Sequence, residues 1–192
     1  MTKIEADVNG ILTAVAKTEC APENVQKVMC SIVQSVTEEI KAKGCCLALL
    51  TPDKQYLRHV SCHGISEEYI KKGRILAQKS ISEVLEGTVV TVLDAYNDSR
   101  IQYPEETRQE GIVSILAVPV SLRNEVLGVL RVYMDRPRRF TEHDIYFVRT
   151  AADIGAKILE DAVKSDSNEP DYDVFRQQLV ELEWARWPGQ CV

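Results

Sequence analysis

Long hydrophobic runs are missing from this 192-residue chain. A helix that crosses a bilayer needs ~20 consecutive apolar residues, and no segment approaches that length, so no membrane association is expected. Met1 to Gly10 carries acidic groups and no apolar stretch ahead of a small-residue cleavage site. No secretory signal is therefore visible, and the expected location is cytoplasmic. Positive charge is in deficit as well: the formal net charge is −6 and the pI is near 5.2. Nucleic-acid surfaces need clustered Lys and Arg to displace counterions, so no nucleic-acid partner is expected. Two local basic groups, Lys71, Lys72 and Arg74, then Arg136, Arg138 and Arg139, read as solvated charged faces.

Other absences narrow the chemistry. The six cysteines, at positions 20, 30, 45, 46, 62 and 191, have no C-x-x-C spacing. The common zinc and dithiol signatures are thereby removed, and in a reducing compartment these thiols are expected to behave as small buried apolar groups. The phosphate-cradling G-x-x-x-x-G-K-[ST], the dinucleotide G-x-G-x-x-G, the zinc-peptidase H-E-x-x-H and the nucleophile elbow G-x-S-x-G are all missing, and no internal repeat is found. The reading therefore favours binding over catalysis, with no catalytic residue and no cofactor assigned.

What is present is a run of strands bracketed by helices. Ile4, Val8, Ile11, Leu12 and Val15 predict a first helix over residues 1–21. Pro22 opens a second, whose stripe runs from Val25 through Ile32 and Val36 to Ile40, with Gly44 as its stop. Cys45 to Leu50 and Tyr56 to Cys62 read as an antiparallel pair of strands. Short helices are expected between Ile65 and Glu86, with Ser80 or Ser82 as caps. Val89 to Leu93, Ser114 to Val120 and Val126 to Tyr133 read as three more strands, the last two joined across Arg123-Asn124. Pro119 cannot donate to a ladder, which places it at a bulge or with its nitrogen turned from a partner. This order predicts an α+β domain with an antiparallel central sheet of five to six strands.

Thr141 with Asp144 three residues on forms a capping box for the longest helix, Glu142 to about Val163. Its apolar arc covers roughly 200°, wider than the ~100° stripe a single surface requires. The excess predicts another helix against it, from the chain's own first helix or from a second copy, and a homodimer is the expectation. Residues 164–170 read as a linker and 171–192 as an amphipathic tail that carries both tryptophans, Trp184 and Trp187.

Candidate binding groups concentrate in the polar insertion after Val89–Leu93. Arg100 can grip a carboxylate or phosphate, Asp94, Asn97 and Asp98 can accept from hydroxyls or amines, and Tyr96 and Tyr103 can stack. Long loops of this kind are often binding elements or lids. The same residues have a plainer use, in which Asp94 and Asp98 form Asx turns and Arg100 is tied to one of them. His59, Cys62 and His63 can ligate a metal in principle, but a lone His near a strand end is more often a hydrogen-bonded group, so no metal site is assigned.

Asp94, Asp98, Arg100, Tyr103-Pro104-Glu105, Glu110-Gly111-Ile112, Ala117-Val118-Pro119, Gly128-Val129-Leu130-Arg131-Val132-Tyr133 and Phe140-Thr141-Glu142-His143-Asp144 together resemble the GAF domain pattern, and Leu49 to Asp53 with His63-Gly64-Ile65-Ser66 is similar to its first hairpin. The resemblance spans about Val25 to Ala162. It implies helices packed on one face of the sheet and a lidded pocket on the other, closed by the segment Gly64 to Glu110. It also implies a small-molecule ligand, dimerisation through terminal helices, and a signalling protein as partner. The Asn-Lys-Phe-Asp-Glu motif of cyclic-nucleotide-binding members is missing, and Cys62-His63 falls at a strand end rather than on the helix that attaches bilins. The stand-alone sulfoxide reductases of the family use cysteines around the pocket, whereas residues 64–190 contain none. The sequence thus reads as a sensory domain, with a redox enzyme or a ligand-free interaction scaffold as alternatives.

Overall fold

The computed structural model describes residues 22–80 and 82–166. The expected first helix and the tail lie outside these residues. Helix α1 (Pro22–Ile40) buries Val25, Val28, Met29, Ile32, Val33, Val36 and Ile40, the stripe expected from its spacing. It ends earlier than Gly44. Lys41 turns the chain with φ 52°, its N–H and that of Ala42 bonding back to Glu38 and Thr37 at 3.2 and 2.9 Å in a Schellman-type closure. Gly44 instead opens strand β1 (Gly44–Leu50), where an added Cβ would stand 2.5 Å from the His63 carbonyl oxygen. Close approach of two strands, not helix termination, requires the glycine.

The remaining strands are β2 (Tyr56–His63), β3 (Ile75–Leu76), β4 (Val90–Val92), β5 (Ser114–Leu122) and β6 (Glu125–Met134). They form one antiparallel sheet in the order β3-β2-β1-β6-β5-β4. Arg123 and Asn124 join β5 to β6 with φ of 49° and 69°, the paired positive values of a tight type I′ hairpin. Pro119 lies past the last β4 partner, Ala117, and just before the register irregularity at Val120–Ser121, a position that tolerates a missing donor. The two-residue strand β3 has no counterpart among the predicted elements, because so short a segment has no periodicity to detect.

β1, β5 and β6 are buried along nearly their whole length, so their alternate side chains build two cores. On one face, Leu47, Leu116, Leu130 and Val132 meet α1 and helix α4 (Glu142–Asp166). On the other, Ala48, Ile115, Ala117, Val129 and Tyr133 meet the segment between β2 and β5. That segment carries the short helices α2 (Glu67–Ile70) and α3 (Pro104–Gln109) and a 3-10 turn (Ser82–Glu86). Ser66 caps α2, accepting the Tyr69 N–H at 3.1 Å.

Part of the wide apolar arc of α4 is covered from within the chain, by α1. At Gly155 the closest approaches to an added Cβ are the side chains of Ile32 and Met29, at 3.7 and 3.8 Å. α4 also runs to Asp166, into the segment expected as a linker. Its start is the reciprocal cap foreseen in the sequence: Thr141 N–H donates to Asp144 Oδ2 at 2.8 Å, and Asp144 N–H to Thr141 Oγ1 at 3.1 Å. Asp144 also binds Arg138 at 2.8 Å, and Arg138 reaches the terminal carbonyl of Ile40, so one carboxylate locks the end of α1 to the start of α4.

Burial pushes the Asp144 carboxyl up, but the Thr141 hydrogen bonds and the Arg138 charge outweigh it and hold the group below the ordinary carboxylate range. Its stabilising contribution is therefore full above the ordinary Asp range and is lost as pH falls through the lowered value. Asp144→Ala is expected to cost about 1–2 kcal/mol in urea denaturation at pH 7, and the difference from wild type should shrink toward pH 2.

Candidate functional site

The segment from Gly64 to Glu110 folds over the second face of the sheet, and its two ends are fastened together. Glu110, at the foot of α3, accepts from the Ser66 backbone N–H at 3.1 Å and from the Ser66 hydroxyl, and pairs with Lys43 at 3.5 Å. Further in, Gln102 receives the Leu76 N–H and donates to the Arg74 carbonyl, both at 2.9 Å, while the Tyr103 hydroxyl donates to the same carbonyl at 2.8 Å. Gly73, at φ 143°, lies against Tyr103, where a Cβ would stand 2.6 Å from the phenol oxygen. The lid is thus a tied structure seated on the strands.

The polar groups beneath it converge from three elements. Arg131, 7% exposed, points from β6 into the lid-side core and sits in register between Cys46 of β1 and Ala117 of β5. The small side chains Ala48 and Ala117 leave room for it. Its Nη2 donates to the Ser80 carbonyl at 2.8 Å, whereas its Nε is buried with no partner. Lys72, half-buried, follows α2 and sends its ammonium inward, donating to the Tyr69 carbonyl at 2.8 Å and standing 3.4 Å above the Tyr69 ring. Among the described residues neither cation is in an ion pair. Burial, then the Arg131 charge, pull the Lys72 amine down to about 7 against the opposing field of Glu106 and Glu110.

Tyr69 and Tyr133 complete the wall, packed edge to face with centroids 6.0 Å apart, and the Tyr69 hydroxyl meets that of Thr107 at 3.3 Å. Burial raises both phenols, so both are hydrogen-bond donors at neutral pH. These groups surround a small cavity of about 20 Å³, also bounded by Ser80 and Tyr103. That is space for a single water or a comparably small group. A much larger cleft of about 860 Å³ opens at the end of the sheet, bounded by Leu50, Ala77, Leu85 and the β5–β6 turn. Three of the charged side chains at its rim are in ion pairs, Lys54 with Glu125 at 2.9 Å and Arg123 with Glu160 at 2.5 Å, and Glu86 also faces it. The buried cations lie at the small cavity and the open space lies in the cleft, and residues 75–80 contribute to the walls of both.

The six candidates in the insertion are distributed unevenly. Tyr103 lines the cavity. Asp94 accepts the Tyr96 N–H at 3.1 Å and the Asn97 amide at 2.7 Å, an Asx turn at the surface. Asp98 receives Arg100 through Nε at 2.9 Å and Nη2 at 2.6 Å, and Arg100 reaches on to Glu83 of the 3-10 turn at 3.1 Å. The bond to Asp98 above all, and that to Glu83, hold Arg100 more firmly protonated than usual. Tyr96 lies under Arg108, 4.7 Å from its guanidinium. The structure gathers these five into a bracket on the outside of the lid.

Sequence reasoning passed over Arg131 and Lys72. Arg131 carried a signal: it is a lone charge inside the apolar run Val126 to Met134, on a strand buried on both faces. Lys72 carried none, since Lys71 and Arg74 beside it are exposed and use their charges outward, toward Glu67 and the Tyr56 ring. Arg136 and Arg138 of the second basic group cap the end of α1 through the Lys41 and Ile40 carbonyls.

The cysteines depart from the expectation of unpaired apolar thiols. Cys45 fits it, fully buried on the helix-side face with its thiol pushed far up by desolvation. Cys46 and Cys62, directly opposite on β1 and β2, are joined by a disulfide with Cα atoms 4.1 Å apart. His59, its ring nitrogens buried and without partners, stands beside them. Burial, then Lys72 and Arg131, hold its pKa well below the ordinary value, so the ring is neutral.

A family model described as the GAF domain matches residues 24–159. The GAF domain of an Acinetobacter phosphoenolpyruvate-protein phosphotransferase superposes with a TM-score of 0.71 at 18% identity, covering 86% of this chain and 98% of its own. The corresponding domain from Coxiella burnetii gives 0.71 at 17% identity, covering 85% and 98%. The free methionine-R-sulfoxide reductase of Neisseria meningitidis, solved with its substrate, gives 0.69 at 16% identity, covering 84% and 91%. At such identities the likeness concerns the fold. No match was found among curated proteins.

The depressed Lys72 pKa has a consequence for stability. Between about pH 7 and the ordinary lysine value the unfolded chain holds a proton that the folded chain has released, so stability attributable to this group rises with pH across that window. Lys72→Met should remove that rise: the variant is expected to be more stable than wild type at pH 6, and the gap should narrow by pH 10 in parallel urea titrations.

Proposed function

This chain belongs to the GAF domain family of sensory and regulatory ligand-binding domains, and we propose that it binds a small anion beneath its lid and reports occupancy through its helices. The observation that carries this reading is the pair Lys72 and Arg131, two cations facing the cavity without an acid bonded to either among the described residues. Removing an ion from water costs several kcal/mol even after relaxation, and a bound anion returns much of that cost. Arg131 offers its unpartnered Nε beside an occupied Nη2, the fork that suits a carboxylate or another planar oxyanion. Tyr69 and Tyr133 supply hydroxyl donors to the same space.

A ligand larger than water needs more room than the small cavity gives. Ile75 and Ser80 line the cavity, while Ala77, Gln78 and Ser82 line the cleft, so displacement of this one short segment joins the two spaces. In this reading Tyr103 is a wall of the site. Asp94, Tyr96, Asn97, Asp98 and Arg100 form the bracket that sets the closed position, acting on affinity through the lid. Ligand binding favours the closed state in proportion to its preference for that state.

Output passes to the opposite face, where α1 and α4 pack on the same central strands. Two copies pair along this helical face, which presents Tyr146 at 58% exposure, and a signalling protein reads the change. The redox-enzyme alternative has less support, because the lid from Gly64 to Gly111 supplies no thiol.

A thermal-shift and calorimetric screen of small carboxylates and inorganic oxyanions tests the proposal. A true ligand at ~100 times its Kd should add about 2.7 kcal/mol of stability. Arg131→Met and Lys72→Met should each abolish that gain, and Arg100→Ala should weaken it without abolishing it. Stabilisation that persists in both Met variants would place the ligand elsewhere.

A further inference from the structure

One buried cluster is used by neither the lid nor the cavity. Cys46, His59 and Cys62 bring two sulfurs and an imidazole nitrogen within 4.8 Å of one another, on the lid-side face at the β1–β2 pair. We propose that, with both cysteines reduced, these three side chains form a three-coordinate site for a single Cu(I) ion. This goes beyond anion sensing and does not depend on it.

The backbone builds the cluster on purpose-made geometry. In a regular strand, residues three apart face opposite sides, so His59 and Cys62 would be separated by the sheet. The register of β1 and β2 shifts between Leu47 and Ala48, pairing Ser61 with Leu47 and His59 with Ala48 and leaving Val60 as the extra residue. Val60 then joins the helix-side core, Ser61 bonds Cys30 of α1 at 3.4 Å, and His59 is carried to the face that holds Cys46 and Cys62. β-bulges commonly re-aim a side chain in this way.

The second observation concerns His59 itself. Both ring nitrogens are buried and neither makes a hydrogen bond, although a buried imidazole ordinarily has at least one partner. A metal bond supplies the missing partner. A trigonal ion about 2.3 Å from each sulfur and about 2.0 Å from nitrogen sets the sulfurs about 4.0 Å apart and the nitrogen about 3.7 Å from each, so the sulfurs part once the disulfide opens and the imidazole closes in by up to about 1 Å, a movement of side-chain rotation.

Donor type and charge select the ion. Thiolate sulfur favours soft ions such as Cu(I). Among the described residues no fourth His, Cys, Asp or Glu joins the cluster, whereas structural Zn(II) sites take four protein ligands. Two thiolates with Cu(I) carry one net negative charge. The charged groups that act on His59 are Lys72 and Arg131, both positive, and Arg131 is the direct register neighbour of Cys46.

Loading requires the disulfide to open. A dithiol reductant does this by breaking the S–S bond and closing to its own cyclic disulfide, leaving two thiols on the protein. Cu(I) then displaces two protons without changing oxidation state.

The full-length protein, reduced with excess dithiol and desalted anaerobically, should be titrated with Cu(I) against a chromogenic Cu(I) chelator. One equivalent should be withheld from the chelator, with an X-ray absorption signature of two sulfurs and one nitrogen. His59→Leu keeps every cysteine; it should bind Cu(I) at least about tenfold more weakly and lose the nitrogen contribution. Its metal-free thermal stability should match or exceed that of wild type, since no hydrogen bond is removed, which also verifies that the variant folds. Cys46→Ser should lose the two-sulfur signature. An unchanged affinity and spectrum in His59→Leu, or a reduced wild-type protein that yields all its Cu(I) to the chelator, would overturn the assignment.

Discussion

The burial of β1, β6 and β5 on both faces is the constraint from which the remainder of the molecule follows. A sheet with one wet face would need only α1 and α4. Here the alternation that sends Leu47, Leu130 and Leu116 toward the helices sends Ala48, Val129 and Ala117 the other way, and those side chains must also leave water. The segment between β2 and β5 serves as their cover. Because that cover is irregular backbone, its polar groups have to be satisfied one by one, and Glu110, Gln102 and Tyr103 do so. The lid is in this sense a requirement of the sheet before it is a device for binding.

Within that cover the charged groups fall into two kinds. Several at the outside are in ion pairs: Arg100 with Asp98 and Glu83, Lys71 with Glu67, and Glu110 with Lys43. The inner set, Lys72 and Arg131, is met by carbonyl oxygens and aromatic rings instead. Carbonyl dipoles and ring faces soften a buried cation but do not neutralise it. Leaving two interior cations without an acid spends stability at one place, a common mark of a site under functional constraint.

The β1–β2 edge shows the same economy at the scale of one residue. The added Val60 costs a regular ladder step and in return fills the helix-side core while turning His59 to the other side. Next to it, Cys45 and Cys46 are neighbours in sequence and strangers in space. One is sealed among the residues that meet α1, and the other faces Cys62 and the lid.

The sequence by itself determined the elements and their order. The stripe of α1, the apolar runs of β1, β5 and β6, the Arg123-Asn124 turn and the Thr141–Asp144 cap each rest on contacts within a few residues, and such contacts are written in local spacing. The six insertion candidates were chosen by residue type, and type does not reveal whether an Asp98 will spend its carboxylate on a ligand or on Arg100 two positions away. Tertiary structure alone decided that Lys72 turns inward while Lys71 does not, that Arg131 faces Cys46 across a strand pair, and that a bulge puts His59 beside two cysteines. Each of these depends on register and on the order of strands in the sheet, quantities fixed by packing between segments far apart in the chain and carried by no single one of them.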